Sequence, residues 1–336
     1  MKILITGGAG YIGSTIASAL IDASHQPILI DNLVNGRREF TKNRIFYEGD
    51  IGDSALIARI FDEQRNIDAV IHCAALIIVP DSVARPYDYY HENVTKSLNL
   101  FHQLAGLGVR RIVFSSSASV YDTVPGFMVT EEAALKPLSP YSRTKLMMEM
   151  MLEDLSRAEG FSAIALRYFN PIGADPAMRT GPYLKKPSHV LAKIIQAADG
   201  QIPYFAITGT DWPTRDGTGI RDYMHVWDLA RAHVAAVERF DQCMDEENRP
   251  FAVINLGTGN GVTVRELLAA FESVAGKPVA SKEEKPRPGD VAGAFANCDK
   301  AKKRLLWSAD KTVADAIKDA LSWDKARKHI LNGFLI

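Results

Sequence analysis

Apolar and polar positions in the first half of the chain alternate between two patterns. Short runs of β-branched and other apolar residues are typical of strands buried on both faces, and longer stretches with apolar residues three or four apart are typical of helices. Such alternation predicts a parallel, doubly wound α/β sheet with right-handed crossovers. The predicted strands are Ile3–Ile5, Pro27–Ile30, Arg44–Tyr47, Ala69–Ile71, Arg111–Phe114 and Ser162–Leu166. The main predicted helices are Ser54–Gln64, residues 82–107 and Pro140–Leu155.

The pattern changes after Asn170, where Pro, Gly and charged residues cluster and the later elements become shorter. We therefore expect a large doubly wound domain over residues 1–170 and a smaller α/β lobe over residues 171–336, with some later segments returning to the main sheet. The later predicted elements are helices over 189–198, 227–239 and 262–275 and a strand over Phe251–Ile254.

Composition narrows the class of protein. The chain has 336 residues, of which 47% are hydrophobic and 24% charged, and its formal net charge is −1. These values are typical of a globular protein and give no reason to expect a nucleic acid or an anionic membrane as partner. No apolar run approaches the roughly 20 residues that a membrane span needs. Any anionic ligand must therefore be held by local arginines or backbone N–H groups.

The three cysteines are Cys73, Cys243 and Cys298. Their odd number and wide spacing match neither a disulfide framework nor a zinc pattern, so we expect reduced thiols, no metal and a cytoplasmic location.

A glycine-rich turn follows the first predicted strand. Glycines at 7, 8, 10 and 13 lie between that strand and a helical pattern through Ile16 and Leu20. Glycines allow a tight turn and a close backbone approach to a pyrophosphate, and the helix N-terminus offers free N–H groups and a positive dipole end. This context predicts dinucleotide binding. The small residues Cys73 to Ala75 after the fourth strand also suit close approach of a cofactor, whereas His72 is expected to be a satisfied strand-end histidine.

A carboxylate ends the second strand of the same unit. Asp31 follows Gly13 by eighteen residues, where it can accept hydrogen bonds from ribose hydroxyls and repel a 2′-phosphate, which favours NAD over NADP. The basic pair Arg37 and Arg38 keeps NADP open. Asp50 either faces the adenine or is a turn or N-cap carboxylate.

A phenol and an ammonium lie four residues apart in Tyr141-Ser-Arg-Thr-Lys145, on one face of a predicted helix. The unperturbed pKa of a phenol is about 10. A fixed cation nearby, together with a positively charged nicotinamide, is expected to lower it toward the range of base catalysis. The serine cluster that ends in Ser117 lies at the end of the preceding strand, which favours a catalytic role over a chance surface pair.

Five stretches together resemble one family. TGGAGYIG, FSSSASVY, YSRTK, RYFNPIGA and GTGIRDYMHVWDLA are similar to motifs of the extended short-chain dehydrogenase/reductase family, and within it to those of its UDP-hexose 4-epimerases. The resemblance implies an NAD-dependent enzyme that interconverts UDP-glucose and UDP-galactose. In that reaction C4 is oxidised transiently, the 4-keto sugar rotates, and hydride returns to the opposite face.

The resemblance also implies roles for individual residues. Tyr141 would be the base, Ser117 its hydrogen-bonding partner on the sugar and Lys145 the nearby cation. The implied cofactor contacts are Gly7, Gly10, Tyr11, Ile12, Gly13, Asp31, Asn32, Asn35, Gly36, Asp50, Ile51, Cys73, Ala74, Ala75, Asn93, Ser115, Tyr141, Lys145, Tyr168 and Phe169. The implied substrate contacts are Ser117, Tyr141, Asn170, Arg179, Ser188, His189, Val190, Phe205, Ile207, Arg221, Tyr223, Arg287, Asp290 and Ala294.

Three departures from the family leave the sugar open. Ile77 stands where the reference epimerases have a lysine, and Ser188-His189 replaces paired asparagines. Ala294 replaces a bulky residue and leaves room for an N-acetylated hexose. Arg179, with Lys185 and Lys186 nearby, is solvated or meets a C6 carboxylate, which would make UDP-glucuronate the substrate.

Other activities also stay open at this stage. A dehydratase or reductase of the same fold is one, although Ala118-Ser119 supplies no acidic pair for a 4,6-dehydratase. A non-catalytic regulator that binds NAD or a nucleotide sugar is another. The family resemblance further suggests a homodimer formed through helix 82–107 and the helix that begins at Pro140. The alternative is that the apolar faces of these helices are covered within one chain.

Overall fold

The computed structural model describes residues 1–184, 187, 189–286 and 291–331. Its strands are β1 Lys2–Thr6, β2 Gln26–Asp31, β3 Ile45–Glu48, β4 Ala69–His72, β5 Arg111–Ser115, β6 Met128–Val129, β7 Ser162–Tyr168, β8 Asn170–Ile172, β9 Phe205–Thr208, β10 Ile220–Arg221, β11 Tyr223–His225, β12 Phe251–Leu256, β13 Val262–Thr263, β14 Ser281–Glu284 and β15 Gly293–Ala296.

Its α-helices are α1 Tyr11–Asp22, α2 Ser54–Gln64, α3 Val79–Ala84, α4 Pro86–Tyr89, α5 Lys96–Gly106, α6 Pro140–Glu159, α7 Val190–Ala198, α8 Val226–Glu238, α9 Phe240–Asp245, α10 Val264–Ala275, α11 Asp299–Leu305 and α12 Val313–Ile330. Short 3-10 turns cover Arg38–Thr41 and Ala118–Val120, and a π-helical turn covers Tyr90–Thr95.

Seven parallel strands form the main sheet in the order β12-β7-β5-β4-β1-β2-β3. Successive side chains of β1 show why both faces need helices. Ile3 and Ile5 belong to an apolar cluster that includes α1 and α8, whereas Leu4 belongs to a second cluster that includes α2, α5 and α6. The predicted doubly wound α/β fold is therefore confirmed.

The prediction of one continuous helix over residues 82–107 is wrong. The chain leaves helical geometry at Arg85, where φ is −131° and ψ is 57°, because the following Pro86 disfavours the α conformation of the residue before it. The helical path then resumes as α4, the π-helical turn and α5. This interruption helps to shape the cleft described below.

A smaller apolar core lies beyond residue 170. It gathers side chains from α7, β9, α10 and α12. Short sheets accompany it, the largest in the order β13-β10-β15-β6. Residues 251–256, in contrast, form β12 and pair with β7 in the main sheet. The boundary between domains 1–170 and 171–336 stays a prediction.

Candidate active site

A cleft of about 1050 Å³ opens at the carboxyl ends of the central strands. Its walls include the glycine turn after β1 and the segments that follow β2, β3 and β4. Ligands of doubly wound sheets bind in this position, where the crossovers diverge. The predicted cofactor residues that line the cleft are Gly7, Gly10, Tyr11, Ile12, Gly13, Asp31, Asn32, Asn35, Gly36, Asp50, Ile51, Cys73, Ala74, Ala75, Lys145 and Tyr168.

The glycine turn leaves no space for side chains. Gly7 has a φ of +68°, and a Cβ there would lie 2.8 Å from the backbone N of Ala74. A Cβ on Gly13 would lie 2.3 Å from the Gly7 carbonyl oxygen. Helix α1 begins directly after Gly10, with no acidic residue in its first turn. Bare backbone and an unopposed positive helix end fit a dinucleotide pyrophosphate.

Asp31 is held rigidly beside this turn. Its carboxylate accepts hydrogen bonds from the backbone N–H groups of Ala9, at 3.0 Å, and Leu33, at 2.8 Å. Burial raises the pKa of this carboxyl group, and the two N–H donors lower it. A Cβ on Gly36 would lie 2.6 Å from the carboxylate oxygen Oδ1, so Gly36 leaves Asp31 accessible to a ligand.

Asp50 is a turn carboxylate that also lines the cleft, and its contact with an adenine stays a prediction. It lines the cleft, and its Oδ1 atom accepts the backbone N–H of Gly52 at 2.8 Å, as a turn carboxylate does. Its Oδ2 atom accepts from Lys96 at 2.7 Å and from Asn32 at 3.1 Å. Lys96 also pairs with Glu92 at 2.7 Å. Lys96 and Glu92 line the cleft but carry no motif that could have identified them.

Asn93 lies behind the loop at Leu76 that lines the cleft. It is fully buried, donates to the Leu76 carbonyl and the Thr144 hydroxyl at 3.0 Å each, and accepts from the Leu76 N–H at 2.8 Å. These bonds use both N–H groups of its amide and one acceptor position of its oxygen. Tyr89 holds the same loop through the backbone N–H and carbonyl of Ile78. Asn93 therefore fixes the loop that lines the cleft, and its contact with a cofactor stays a prediction.

The three predicted catalytic residues meet at the junction of β5 and α6. Tyr141 and Lys145 occupy successive turns of α6, and Ser117 forms a hydrogen bond with Tyr141. The Lys145 ammonium donates to the Ser115 carbonyl at 2.9 Å and lies 4.9 Å from the centre of the Phe114 ring. Ser139 starts α6 with a capping box, which fixes the helix relative to the strand end.

Burial dominates the ionisation of this group. It raises the pKa of Tyr141, and the hydrogen bond with Ser117 lowers it only in part. Burial also lowers the pKa of Lys145 to about 8. Lys145 therefore does not by itself outweigh the effect of burial on the pKa of the phenol. The remaining stabilisation of a phenolate has to come from a cationic ligand, which is the charge that an oxidised nicotinamide carries.

Ser115 connects several polar groups behind the cleft. Its hydroxyl bonds to His233 Nε2 at 2.8 Å and to the Cys73 thiol at 3.1 Å, and it also contacts Tyr168. Ser115 is thus a support of the cleft wall. His72 pairs with Thr6 and Ser97 and is the satisfied strand-end histidine that was predicted.

Arg179 does not reach a sugar site. Its guanidinium pairs with Asp22 at 2.7 Å and with the buried Asp175 at 2.5 Å, and it lies over the Trp227 ring at 5.4 Å. Both edges of the guanidinium are therefore engaged by carboxylates. The predicted contact with a C6 carboxylate is wrong, because Arg179 is a structural ion-pair partner.

Arg221 lies on β10, an inner strand of the four-stranded sheet. Its guanidinium donates to the carbonyls of Ile220, Val291 and Ala292. The neighbouring Asp222 is fully buried and accepts N–H groups from the 258–259 turn and from Ala296. Ser188, Arg287 and Asp290, like Lys185 and Lys186, lie outside the described residues.

The other predicted substrate residues are dispersed. Phe205, Ile207 and Tyr223 pack into the core of the smaller lobe and do not line the cleft, so their role in a substrate site stays a prediction. Ala294 and Phe169 pack together against Val120 and Tyr121, close to Ser117 in the chain. The remaining members are Asn170 at the start of β8, His189 on the cleft wall and Val190 at the start of α7.

Tyr183 is a cleft residue that sequence reasoning missed. Its ring packs against Phe40 at 5.5 Å, and the Arg37 guanidinium lies 5.6 Å from its centre. It comes from the Pro- and Gly-rich segment after residue 170, which has no periodicity to indicate a wall residue.

In the described part of the chain, no helix is long and apolar enough to cross a bilayer.

A glycine turn, a buried carboxylate at the end of the second strand and a Ser-Tyr-Lys group on one doubly wound sheet are typical of NAD-dependent enzymes of the epimerase and dehydratase class. The chain belongs to the NAD dependent epimerase/dehydratase family, whose model matches residues 3–257.

Its similarity to particular members covers nearly the whole chain. The UDP-glucose 4-epimerase of Bacillus subtilis (strain 168) is 40% identical over 344 residues, with 99% of each chain covered. The crystal structure of UDP-glucose-4-epimerase from Stenotrophomonas maltophila with bound NAD and formylated UDP-arabinopyranose has a TM-score of 0.92 at 36% identity, covering 98% of this chain and 99% of that one. The Bifidobacterium longum UDP-glucose 4-epimerase in complex with NAD+ and UDP has a TM-score of 0.90 at 36% identity, covering 99% and 100%.

Proposed function

We propose that this protein is an NAD-dependent 4-epimerase that interconverts UDP-glucose and UDP-galactose. The observation that carries the proposal is the placement of the Tyr141–Ser117 pair and the Lys145 ammonium at the end of β5, beside a cleft that begins at the glycine turn. The similarity to UDP-glucose 4-epimerases over the full length supports the choice of substrate.

The cofactor is expected to lie along the carboxyl ends of β1, β2 and β4. The glycine turn and the start of α1 would hold the pyrophosphate, and Asp31 would accept from the adenosine ribose. Lys145 would donate to the nicotinamide ribose, since its ammonium is fixed at the cleft floor. Bound NAD+ supplies a hydride acceptor for C4 of the sugar and returns the hydride after the sugar has rotated.

Tyr141 and Ser117 would handle the proton of the sugar 4-hydroxyl. Tyr141 accepts this proton as C4 is oxidised and gives it back when C4 is reduced, and Ser117 orients the hydroxyl by a hydrogen bond. Near-burial of both side chains keeps water from competing for the proton. Because the same residue takes and returns the proton, the cycle requires no net proton exchange with solvent.

The nucleotide part of the substrate is expected to provide the binding energy. A nucleoside diphosphate carries about two negative charges, and arginine is well suited to hold them. Arg221 and Arg287 are the proposed partners, with Asn170, His189 and Asp290 around them. A firmly held UDP and a loosely held sugar belong together, because the 4-keto sugar has to rotate between the two hydride transfers.

UDP-N-acetylglucosamine is the second candidate substrate. Ala294 packs beside Phe169 in the cluster formed by Val120, Tyr121 and Val129. A methyl side chain at this place leaves more room than a bulky residue would. UDP-glucuronate loses its proposed partner, because Arg179 is committed to Asp22 and Asp175.

One assay tests the function and the choice of sugar. Purified protein without added cofactor is incubated with UDP-glucose, UDP-N-acetylglucosamine or UDP-glucuronate, and the C4 epimers are quantified by proton NMR. We expect co-purified NAD and formation of UDP-galactose. Absence of any epimer would reject the enzyme, and binding of NAD and UDP-sugar without turnover would identify a non-catalytic regulator.

We further propose a cytoplasmic homodimer. Several apolar side chains on α3 to α6 are exposed, including Val83 at 65%, Tyr87 at 78% and Met150 at 57%. Together with Leu98 and Met147 they form an apolar face on adjacent helices, which a second copy would cover. Light scattering of the parent and of Met150→Glu tests the dimer, and a monomeric parent at micromolar concentration would exclude it.

A further inference from the structure

Three consecutive serines at the end of β5 pair with one face of α6. Tyr141 and Lys145 contact Ser117 and the Ser115 carbonyl, respectively. The third residue of this face, Glu149, accepts a short hydrogen bond from the Ser116 hydroxyl. Because Tyr141, Lys145 and Glu149 are four residues apart, they lie on one face of α6, and each contacts one of the three serines.

Glu149 is fixed from the other side by a buried network. Arg167 on β7 binds both of its carboxylate oxygens, with distances from 2.6 to 3.2 Å, and also donates to the Tyr121 hydroxyl at 3.0 Å. Tyr121 in turn donates to Asn255 on β12 at 2.7 Å. All four side chains are at most 8% exposed.

This network extends to the small sheet. The Asn255 amide donates to the Val129 carbonyl of β6 at 3.1 Å, and β6 pairs with β15, which pairs with the strand of Arg221. A charged pair costs desolvation energy in such a dry place, and an apolar pair of similar volume would pack there at lower cost. The presence of this buried polar network is explained if it positions the strand end after β5 relative to α6.

We infer that Glu149 is a positioning residue for the reaction: through Ser116 it fixes the strand end that presents Ser117 and the Ser115 carbonyl to Tyr141 and Lys145. The inference rests on the proposed function, since it assigns Glu149 a role toward its proposed base and cation. Ser116 lies between Ser115 and Ser117, whose contacts with Lys145 and Tyr141 hold the strand end against α6. Losing the bond between Ser116 and Glu149 therefore loosens both contacts.

The charge of Glu149 acts on Lys145 as well. Burial lowers the pKa of Lys145, whereas Cys73 and Glu149 raise it. The other titratable groups around the ammonium are His72, which is neutral because burial lowers its pKa to about 3, and Tyr141. A carboxylate one helical turn away thus helps to keep a buried ammonium protonated.

Ser116→Ala tests the positional role. It removes the bond to Glu149 and leaves the Glu149–Arg167 pair intact. We expect kcat to fall roughly tenfold, with unchanged KM and unchanged NAD content, since binding groups are untouched. Ser156→Ala is the matched control, because Ser156 is a buried serine of α6 whose hydroxyl donates to the Glu153 carbonyl of its own helix. The control is expected to stay within about twofold of the parent.

Glu149→Gln tests the electrostatic role. The amide oxygen still accepts from Ser116, but the charge is lost and Arg167 is left unpaired, so both changes lower the pKa of Lys145. We expect the alkaline limb of the kcat profile to move to lower pH by roughly half a unit or more, whereas Ser116→Ala leaves that limb in place. Glu153→Gln, on the next turn, removes the charge of a half-buried partner of Arg157 and Arg249 and is the control.

The outcomes separate this inference from the proposed function. An inactive parent would reject the function itself. An active parent with Ser116→Ala within twofold in kcat would overturn the positional role, even if Glu149→Gln fails to fold. Ultraviolet titration measures the ionisation of the Tyr141 phenol without turnover, when the titration curve of Tyr141→Phe is subtracted from that of the parent. An identical phenol titration in the parent and in Ser116→Ala would also contradict the inference.

Discussion

The two halves of the molecule provide their binding groups in different ways. Most of the predicted cofactor residues before Tyr168 come together in one cleft, because each follows a strand of the same parallel sheet. The predicted substrate residues from Asn170 onwards that the structure describes are spread over small sheets, a core and the cleft wall. A parallel sheet collects the residues at its strand ends by geometry alone, whereas the smaller lobe collects them only through pairings between distant segments.

The strongest test of the first half is Tyr141→Phe. Removing the hydroxyl abolishes proton transfer at the sugar while leaving the ring and Lys145 in place. We expect kcat to fall by about a thousandfold and the affinity for UDP to change by no more than a few-fold. Steady-state kinetics and calorimetric UDP titration measure the two quantities. Substantial residual turnover would mean that another residue is the base.

Asp31→Asn tests the second-strand carboxylate. The amide oxygen can still accept from Ala9 or Leu33, but the charge that repels a 2′-phosphate is gone. We expect the preference for NAD over NADP to fall roughly tenfold or more. Competition between the two dinucleotides for the protein, read by mass spectrometry of the bound fraction, gives the ratio. An unchanged ratio would place the discrimination in another residue.

The ionisation of Lys145 predicts the alkaline limit of activity. Burial lowers the pKa of Lys145 to about 8, so its cation is present below that pH and is lost as the pH rises through it. We therefore expect kcat to decrease above about pH 8, by up to tenfold per pH unit. The pH profile of Lys145→Met is the control, since it should lack this limb. A flat parent profile across this range would contradict the assignment.

The smallest effect on turnover is expected for Arg179→Ala in the second half. The substitution leaves the fully buried Asp175 carboxylate without its main partner and costs about 2 kcal/mol of stability after allowance for the partial exposure of Arg179. We expect a lower unfolding midpoint, with relative rates for the UDP-sugars within twofold of the parent. Selective loss of a glucuronate reaction would return Arg179 to the sugar site.

The same contrast explains what the sequence could predict. Strand periodicity, the glycine turn and the spacing of Tyr141 and Lys145 are local signals. The parallel sheet brings the residues that carry these signals together at the carboxyl ends of its strands, so the site could be predicted from them. Asn93 could not be assigned from its motif, because its partners Leu76 and Thr144 come from a loop and a helix that only the fold brings together. The break at Arg85 was readable in principle from Pro86, but the apolar periodicity on both sides concealed it.

The Tyr141 pKa shows a second limit. Spacing predicted the neighbouring ammonium correctly but not the desolvation that outweighs it, since burial is a property of the whole packed domain. In the same way, the sequence could not distinguish Arg179 from an arginine that binds substrate. Asp175 is a local partner, but Asp22, which occupies the other edge of the guanidinium, lies far away in the chain.

The position of β12 has a consequence for how the protein matures in the cell. This strand completes the sheet beside β7 and supplies Asn255, yet it follows β7 in the chain only after helices α7 to α9. A nascent polypeptide that has just released its catalytic helix from the ribosome therefore still has an open sheet edge, a known template for association with other chains. This edge closes only after residues 251–256 have been synthesised and have paired with β7.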